Sequence, residues 1–246
     1  MIKLIVSDLD GTLLPYGESK IALSTKNLIY RWLSSGNSFA VSSGRTYGEL
    51  LELLPEFEKD IYYIADDGAY YVRGGRLLYG RHIDREELCG FGREGGAARI
   101  FHGAFENYCV GEISDCARAH FSPTEITCRD INYGNLRIFK ITEFSAPRAL
   151  SPHSKIRLHW NDKEAVRAAQ YVNRFCNKGA SLSDLKLRLF LSGSEVAVLG
   201  DADNDIPMMR GAKYSFAVGD RSALAADAAT HRVGSADEAL TMLLNL

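Results

Sequence analysis

A short apolar segment near the start of the chain runs directly into a pair of carboxylates. Residues 3–7 have the length and β-branched character of a buried strand. The next five residues are Asp-Leu-Asp-Gly-Thr, so Asp8 and Asp10 are two apart and point the same way on extended backbone. Open α/β sheets bind their ligands at the carboxyl ends of strands. Asp and Gly are also ordinary turn residues, so this motif alone predicts either an active site or a loop.

The segments that follow alternate between helical and extended patterns. This β-α-β-α-β order is typical of a parallel sheet with right-handed crossovers, and it predicts an α/β protein with a Rossmann-like core. The predicted elements are a helix capped by Ser24 and stopped by Gly36, a strand at 38–42, a helix at 46–54 and a strand at 62–65.

The α/β rhythm stops near residue 84 and returns after residue 175. We therefore predict a core formed by residues 1–83 and 176–246, into which residues 84–175 insert a smaller α/β module. Asn161 and Glu164 have the spacing of a capping box, which predicts a helix running through Phe175. A further helix at 179–189 and a strand at 196–199 are predicted in the core.

The composition is that of an ordinary soluble globular protein, with 46% hydrophobic and 24% charged residues. A net charge of −2 gives no electrostatic reason to expect nucleic acid or membrane partners, and we expect a monomer or homodimer. No apolar stretch approaches the roughly 20 residues of a membrane span, and no signal-peptide pattern opens the chain. The five cysteines form no CxxC pair, which favours reduced thiols in a cytoplasmic protein. The six histidines are scattered without the spacing of metal ligands and are interpreted as structural.

Other polar side chains are also expected at the carboxyl edge of the predicted sheet, where the ends of parallel strands open together. Carboxylates from two strands suit a hard divalent cation with oxygen ligands, and Mg²⁺ fits best. A hydroxyl and a lysine beside that cation suit a phosphoryl group, which needs positive charge and hydrogen-bond donors. The additional residues are Ser43, Lys178, Asp201, Asn204 and Asp205.

Four motifs occur in a fixed order: Asp-Leu-Asp-Gly-Thr, Ser-Gly-Arg, a single lysine, and Gly-Asp-Ala-Asp-Asn-Asp. In this order they resemble the haloacid dehalogenase superfamily, and most closely its Cof-like class IIB sugar phosphatases. That branch carries a large α/β cap, of the C2B type, between the second and third motifs. The resemblance covers residues 1–83 and 176–246, whereas residues 84–175 match the cap only in position and size.

The resemblance implies a role for each matching residue. Asp8 would be the nucleophile that forms an aspartyl-phosphate, and Asp10 the general acid and base. Lys178 would be a catalytic residue that offsets charge on the nucleophile and the phosphate, and Gly11 would complete the turn. The implied phosphate-binding residues are Thr12, Ser43, Gly44, Lys178 and Asn204. The implied metal ligands are Asp8, Asp10, Asp201 and Asp205.

The expected function is that of a Mg²⁺-dependent phosphomonoester hydrolase acting on a small phosphorylated metabolite, with a sugar phosphate as the first candidate. A phosphomutase remains an alternative, because the two activities differ in how well the cap excludes water and no core motif separates them. A non-catalytic protein that binds phosphorylated metabolites is a third hypothesis. The presence of both Asp8 and Asp10 argues against it.

Two features depart from the family pattern. Relatives have Asn-Gly-Ala after the third strand, whereas this chain has Asp67 at the first of these positions. Asp67 is either a substrate-facing carboxylate that disfavours a second anionic group, or a plain turn residue. The second departure lies ahead of Lys178, where residues 172–176 continue the predicted helix and relatives have a strand.

Overall fold

A computed structural model of the protein describes residues 1–93, 98–133, 135–144, 150, 154–161 and 168–246. The chain divides into two units, one formed by residues 1–79 with 177–246 and the other by residues 80–176. No helix in these described ranges is both long and apolar enough to cross a membrane.

The helices and strands are numbered in chain order. The strands are β1 (Leu4–Asp8), β2 (Ser38–Ser42), β3 (Tyr62–Ala65), β4 (Tyr70–Arg73), β5 (Arg76–Gly80), β6 (Arg99–His102), β7 (Asn107–Val110), β8 (Thr124–Glu125), β9 (Lys140–Glu143), β10 (Ile156–Asn161), β11 (Ala168–Asn173), β12 (Val196–Gly200), β13 (Tyr214–Val218) and β14 (His231–Val233). The helices are α1 (Leu23–Ser34), α2 (Tyr47–Leu53), α3 (Arg85–Arg93), α4 (Asp115–Phe121), α5 (Cys128–Tyr133), α6 (Lys178–Arg188), α7 (Ile206–Met209), α8 (Ala223–Ala228) and α9 (Ala236–Leu244). The first helix starts at Leu23 without a side-chain cap, so the predicted cap at Ser24 is wrong.

The first unit contains an eight-stranded sheet in the order β14-β13-β12-β1-β2-β3-β4-β5. The strands from β14 to β3 are parallel, which confirms the predicted parallel-sheet core. The chain runs outward from β1 through β2 and β3 on one side, and through β12, β13 and β14 on the other. The strand order therefore reverses between β1 and β12, and such a switch point opens a crevice at the carboxyl ends of the strands.

One face of this sheet packs against α6 near its centre. Alternate residues of β1 and β12 lie in one apolar cluster with Leu182 and Leu185 of α6. All four strand residues and both leucines are fully or almost fully buried. This packing holds the amino-terminal end of α6, where Lys178 lies. The strand residues are Leu4, Val6, Val196 and Val198.

The second unit contains a six-stranded sheet in the order β10-β11-β9-β6-β7-β8. Neighbouring strands pair antiparallel except β7 and β8, which pair parallel. Helices α3 and α5 cover one face, and Phe91 and Ile131 share an apolar cluster there with Phe101, Ile141 and Tyr171.

The helix predicted from Asn161 through Phe175 is wrong in the part that the structure describes. Residues 168–173 form β11, which pairs with β9 and β10. Every residue of β11 is buried, so its apolar positions follow burial on both faces and not a helical stripe. A strand thus precedes Lys178, as in the family pattern. Glu164 of the proposed capping box lies outside the described residues.

A buried ion pair connects several elements of the second unit. Arg99 donates through Nε to Glu143 Oε1 at 2.8 Å and through Nη1 to the carbonyl oxygen of Phe91 at 2.7 Å. The hydroxyl of Tyr171 donates to Glu143 Oε2 at 2.8 Å. The two charged side chains are only 3% and 2% exposed, so each depends on the other for its neutralising charge.

We predict that Arg99→Met destabilises the second unit strongly, because it removes the cation that the buried Glu143 contacts. Loss of one partner of a buried pair costs about 3–5 kcal/mol. The matched control is Arg118→Met, since Arg118 forms an exposed pair with Glu125 that contributes less than about 1 kcal/mol. Urea unfolding followed by circular dichroism measures both, and similar costs for the two variants would contradict the prediction.

Candidate active site

The carboxylates predicted at two strand ends lie together in the structure. Strands β1 and β12 are parallel neighbours, and Ser7 pairs with Leu199 in their register. The residues that follow, Asp8 and then Asp201 after Gly200, therefore leave the sheet at adjacent points. One carboxylate oxygen each from Asp8, Asp201 and Asp205 lies within 4.8 Å of the other two.

The 3-10 turn 203–205 brings Asp205 into this group. Asp205 Oδ2 accepts the backbone N–H of Asp201 at 3.0 Å and that of Ala202 at 3.1 Å. Asp205 is fully buried, and Asp8 and Asp201 are nearly so. The backbone thus orients Asp205 toward the strand end and leaves its other oxygen to face Lys178.

Lys178 is the buried cation of the site. Its Nζ donates to Asp8 Oδ1 at 2.5 Å and to Asp205 Oδ1 at 2.6 Å, and its side chain is 2% exposed. Burial alone lowers the pKa of Lys178, but the charges of Asp8 and Asp205 outweigh this effect and the pKa is raised. Asn177 caps α6 by accepting the N–H of Ala180 at 2.9 Å, which fixes where the helix begins.

The charges in this group are unbalanced, because three carboxylates face two cations, the buried Lys178 and the half-exposed Arg221. Burial raises the pKa of Asp8 well above its ordinary range; Lys178 lowers it, and the charge of Asp205 raises it again. Burial also raises the pKa of Asp201. A set of convergent oxygen ligands with excess negative charge fits a hard divalent cation. Asp8, Asp201 and Asp205 are therefore the residues that could hold one.

Asp10 has different neighbours from Asp8, although the two are only two residues apart. Arg45 donates to both of its oxygens, from Nη2 to Oδ1 at 2.7 Å and from Nε to Oδ2 at 3.1 Å. Ser43 donates to Asp10 Oδ2 at 3.4 Å. The structure thus brings Asp10 beside the predicted phosphate-binding Ser43, and it does not bring the Asp10 carboxylate into the group of three.

The remaining predicted residues lie around the same edge. Thr12 donates to Asp201 Oδ1 at 3.3 Å. Asn204 donates through Nδ2 to Asp67 Oδ1 at 3.3 Å. A Cβ on Gly44 would lie 3.3 Å from Asp67 Oδ2, so this carboxylate lies directly against the Gly44 backbone. Asp67 has a left-handed backbone with φ of 55°, and its charge contributes to the raised pKa of Lys178.

Three residues of this edge were not predicted as site residues. Arg45 belongs to the Ser-Gly-Arg motif and follows Ser43 by two residues, so the motif itself contained the signal. Arg221 follows the carboxyl end of β13, so its position after a strand could have predicted it, as it did for Asp8 and Asp201. Tyr16 carries no such signal, because its position depends on the turn that follows Asp10.

The turn after Asp10 brings Tyr16 over Gly11. Gly11 has φ of +89°, and a Cβ there would lie 2.5 Å from a ring carbon of Tyr16 and against the Asp201 carboxylate. Only glycine fits this position without strain or displacement of these groups. Gly11 therefore completes the turn and also allows Tyr16 to approach Asp201.

Comparisons with known proteins identify similar sequences. The model of the haloacid dehalogenase-like hydrolases matches residues 5–91 and 136–240. A curated relative is 5-amino-6-(5-phospho-D-ribitylamino)uracil phosphatase YbjI of Escherichia coli (strain K12). It is 25% identical over an alignment of 262 positions, covering 95% of this chain and 91% of the relative.

Solved structures share the whole fold. A protein from Eubacterium rectale superposes with a TM-score of 0.83 at 24% identity, covering 99% of this chain and 98% of that one. The haloacid dehalogenase subclass IIB sugar phosphatase BT4131 superposes with a TM-score of 0.71 at 18% identity, with coverage of 99% and 98%. At these identities the likeness shows the fold.

We predict that Lys178→Met destabilises the first unit by about 3–5 kcal/mol, because it leaves buried carboxylates without their cation. Lys186→Met on the same helix is the matched control. It removes one hydrogen bond to the carbonyl oxygen of Gly211, an interaction of about 1 kcal/mol. Chemical unfolding in the presence of a chelator compares the two, and a Lys178 variant no less stable than the control would refute the prediction.

Proposed function

We propose that this chain, which belongs to the haloacid dehalogenase-like hydrolases, hydrolyses phosphate monoesters of small metabolites, with a sugar phosphate as the first candidate. The proposal depends on one observation above all. Asp8 and Asp10 leave the same strand end, yet Asp8 contacts the buried Lys178 and Asp10 contacts the partly exposed Arg45. Two carboxylates with such different neighbours are suited to two different roles.

The first proposed step is attack by Asp8 on phosphorus. An Asp8 oxygen forms a bond to phosphorus, the bond from phosphorus to the ester oxygen breaks, and the leaving alkoxide takes a proton from Asp10. This step produces an aspartyl-phosphate and a free alcohol. Lys178 lies 2.5 Å from Asp8 Oδ1, where its charge offsets the repulsion between carboxylate and phosphate.

The second proposed step regenerates the enzyme. Asp10, now a carboxylate, takes a proton from water, and the water oxygen forms a bond to phosphorus. The bond from phosphorus to the Asp8 oxygen breaks, which releases inorganic phosphate and restores Asp8. Arg45 and Ser43 contact the Asp10 carboxylate through three hydrogen bonds, so they are suited to orient it as the base in this second step. In the first step one Asp10 oxygen carries the proton that is transferred, so Arg45 would donate only to the other oxygen.

A divalent cation, proposed to be Mg²⁺, would be held by Asp8, Asp201 and Asp205. When bound, it would supply positive charge that lowers the repulsion between the incoming phosphate and the carboxylates. The proposed phosphate contacts are Thr12, Ser43, Gly44, Lys178 and Asn204. We propose the second unit as the cap that selects the substrate.

Phosphate release from an aryl phosphate tests the mechanism. We predict that Asp8→Asn and Asp10→Asn each lower kcat by at least about a thousandfold, since they remove the nucleophile and the proton donor. The control is Asp227→Asn, an exposed carboxylate paired with Arg232. A chelator should abolish the activity and added Mg²⁺ should restore it. Activity in Asp8→Asn, or activity that survives chelation, would contradict the proposal.

A panel of sugar phosphates and nucleotides distinguishes the remaining alternatives. Release of inorganic phosphate supports the hydrolase, whereas an isomeric sugar phosphate without phosphate release would identify a phosphomutase. Thermal stabilisation by a phosphorylated sugar with no turnover would identify a binding protein.

The carboxylate of Asp67 gives a prediction about substrate choice. It lies against the backbone of Gly44, a proposed phosphate contact, so it should repel the transferred phosphate of every substrate equally and, in addition, a second anionic group that lies beside it. Two like charges a few ångströms apart in water repel by about 1 kcal/mol, or about fivefold in rate. Asp67→Asn should therefore raise kcat/KM for sugar bisphosphates about fivefold relative to monophosphates.

Asp203→Asn is the matched control for this measurement, because Asp203 lies near the site and accepts a hydrogen bond from Ser222. An unchanged ratio of bisphosphate to monophosphate turnover in Asp67→Asn would assign Asp67 to the turn alone.

A further inference from the structure

The hydroxyl of Tyr16 lies between the carboxylate of Asp201, a proposed metal ligand, and the main chain of Asp10. It is 2.8 Å from Asp201 Oδ2 and 3.1 Å from the main-chain carbonyl oxygen of Asp10. The hydroxyl has one proton, so it donates to only one of these oxygens at a time. Tyr16 itself is 55% exposed, in the turn that follows β1.

Arg221 approaches the same carboxylate oxygen from another strand end. Its Nη1 lies 3.3 Å from Asp201 Oδ2, and its guanidinium lies over the ring of Tyr16 at 4.7 Å from the ring centroid. The Arg221 side chain is 52% exposed, whereas that of Asp201 is 2% exposed. Two exposed side chains that stack on each other thus converge on one buried oxygen.

Both oxygens of Asp201 are engaged by protein donors. Oδ1 accepts from Thr12, and Oδ2 accepts from Tyr16 and Arg221. Because this oxygen has two lone pairs and two donors, a cation that coordinates Oδ2 must take the place of at least one donor, and the positive charge of Arg221 also repels the cation. Asp8 and Asp205 differ from Asp201, because the cation that these two carboxylates contact is the buried Lys178 and not an exposed side chain.

We propose that Tyr16 and Arg221 form a displaceable clamp on Asp201 that competes with the divalent cation and opens when the cation binds. This inference rests on the proposed metal-dependent function. The clamp lowers the affinity for the cation, and it couples cation binding to movement of Tyr16. Tyr16 and Arg221 are positioning residues that act through Asp201.

The exposure of both side chains makes the clamp easy to open. Surface ion pairs and exposed cation–π contacts contribute little to stability, so their loss on opening costs the fold little. The turn also contains Gly17, whose backbone has φ of +89° and whose Cα faces open space. A buried hydrogen-bond partner would bind the Asp201 carboxylate more tightly, and an ion from solvent would not replace that partner.

Isothermal titration calorimetry with MgCl₂ tests the clamp in the absence of substrate. We predict that Tyr16→Phe, which removes only the hydroxyl, binds Mg²⁺ about threefold to fivefold more tightly than the unaltered chain. Arg221→Gln removes a competing charge and should bind about tenfold more tightly. The effects should not add in the double variant, because both residues contact one oxygen. The controls are Tyr30→Phe and Arg232→Gln, both on the surface of the first unit, and neither should alter the affinity.

Fluorine NMR gives a second readout that does not depend on activity. With 3-fluorotyrosine placed only at position 16, Mg²⁺ should shift the resonance toward that of a solvent-exposed ring, at the concentrations at which calorimetry shows binding. A resonance that stays unchanged when Mg²⁺ binds would overturn the proposal.

The failure of the clamp is distinguishable from the failure of the proposed function. If the unaltered chain and both variants bind Mg²⁺ equally, or the variants bind more weakly, the clamp is wrong and the metal site stands. If none of the proteins binds Mg²⁺, both the clamp and the proposed metal dependence are wrong.

Discussion

The contacts of Lys178 with Asp8 and Asp205 are the interaction on which the site depends. Both carboxylates and the lysine are almost completely buried, and ionised groups are costly to bury without a partner. The lysine can reach them because α6 packs through Leu182 and Leu185 on the centre of the sheet. One residue therefore joins the end of β1, the start of α6 and the turn after β12, and the core packing of the first unit sets its position.

Around this interaction, the site separates two carboxylates that are neighbours in sequence. Asp8 faces a buried lysine and two further acids, whereas Asp10 faces Arg45 and Ser43 at the partly exposed rim. The neighbouring charges and the burial of Asp8 and Asp10 thus differ, although these residues are only two apart in the chain. Asp201 is intermediate, since it is buried but accepts hydrogen bonds from the exposed Tyr16 and Arg221. The carboxylates of one cluster therefore differ in how easily an ion from solvent can reach them.

Sequence patterns predicted the parts of the fold in which the local residue pattern and the tertiary environment favour the same secondary structure. The apolar runs, the helices between them and the four ordered motifs correctly predicted the parallel sheet and the family. The prediction was wrong for residues 168–173, because a strand buried on both faces has apolar residues at helical spacing as well. The helix start at Leu23 was missed by two residues, since the position before the helix is Ala22 instead of the predicted cap Ser24 and no side chain caps it.

By itself the sequence determined that Asp8, Ser43 and Asp201 reach the carboxyl edge of the sheet, because each closely follows a predicted parallel strand. Only the tertiary structure decided how those residues pair. Lys178 is 170 residues from Asp8 in the chain, and Tyr16 is 185 from Asp201, so no local pattern relates them. Packing of α6 on the sheet brings Lys178 within hydrogen-bond distance of Asp8, and the turn at Gly11 brings Tyr16 within hydrogen-bond distance of Asp201. The charges of these groups then determine which of them pair.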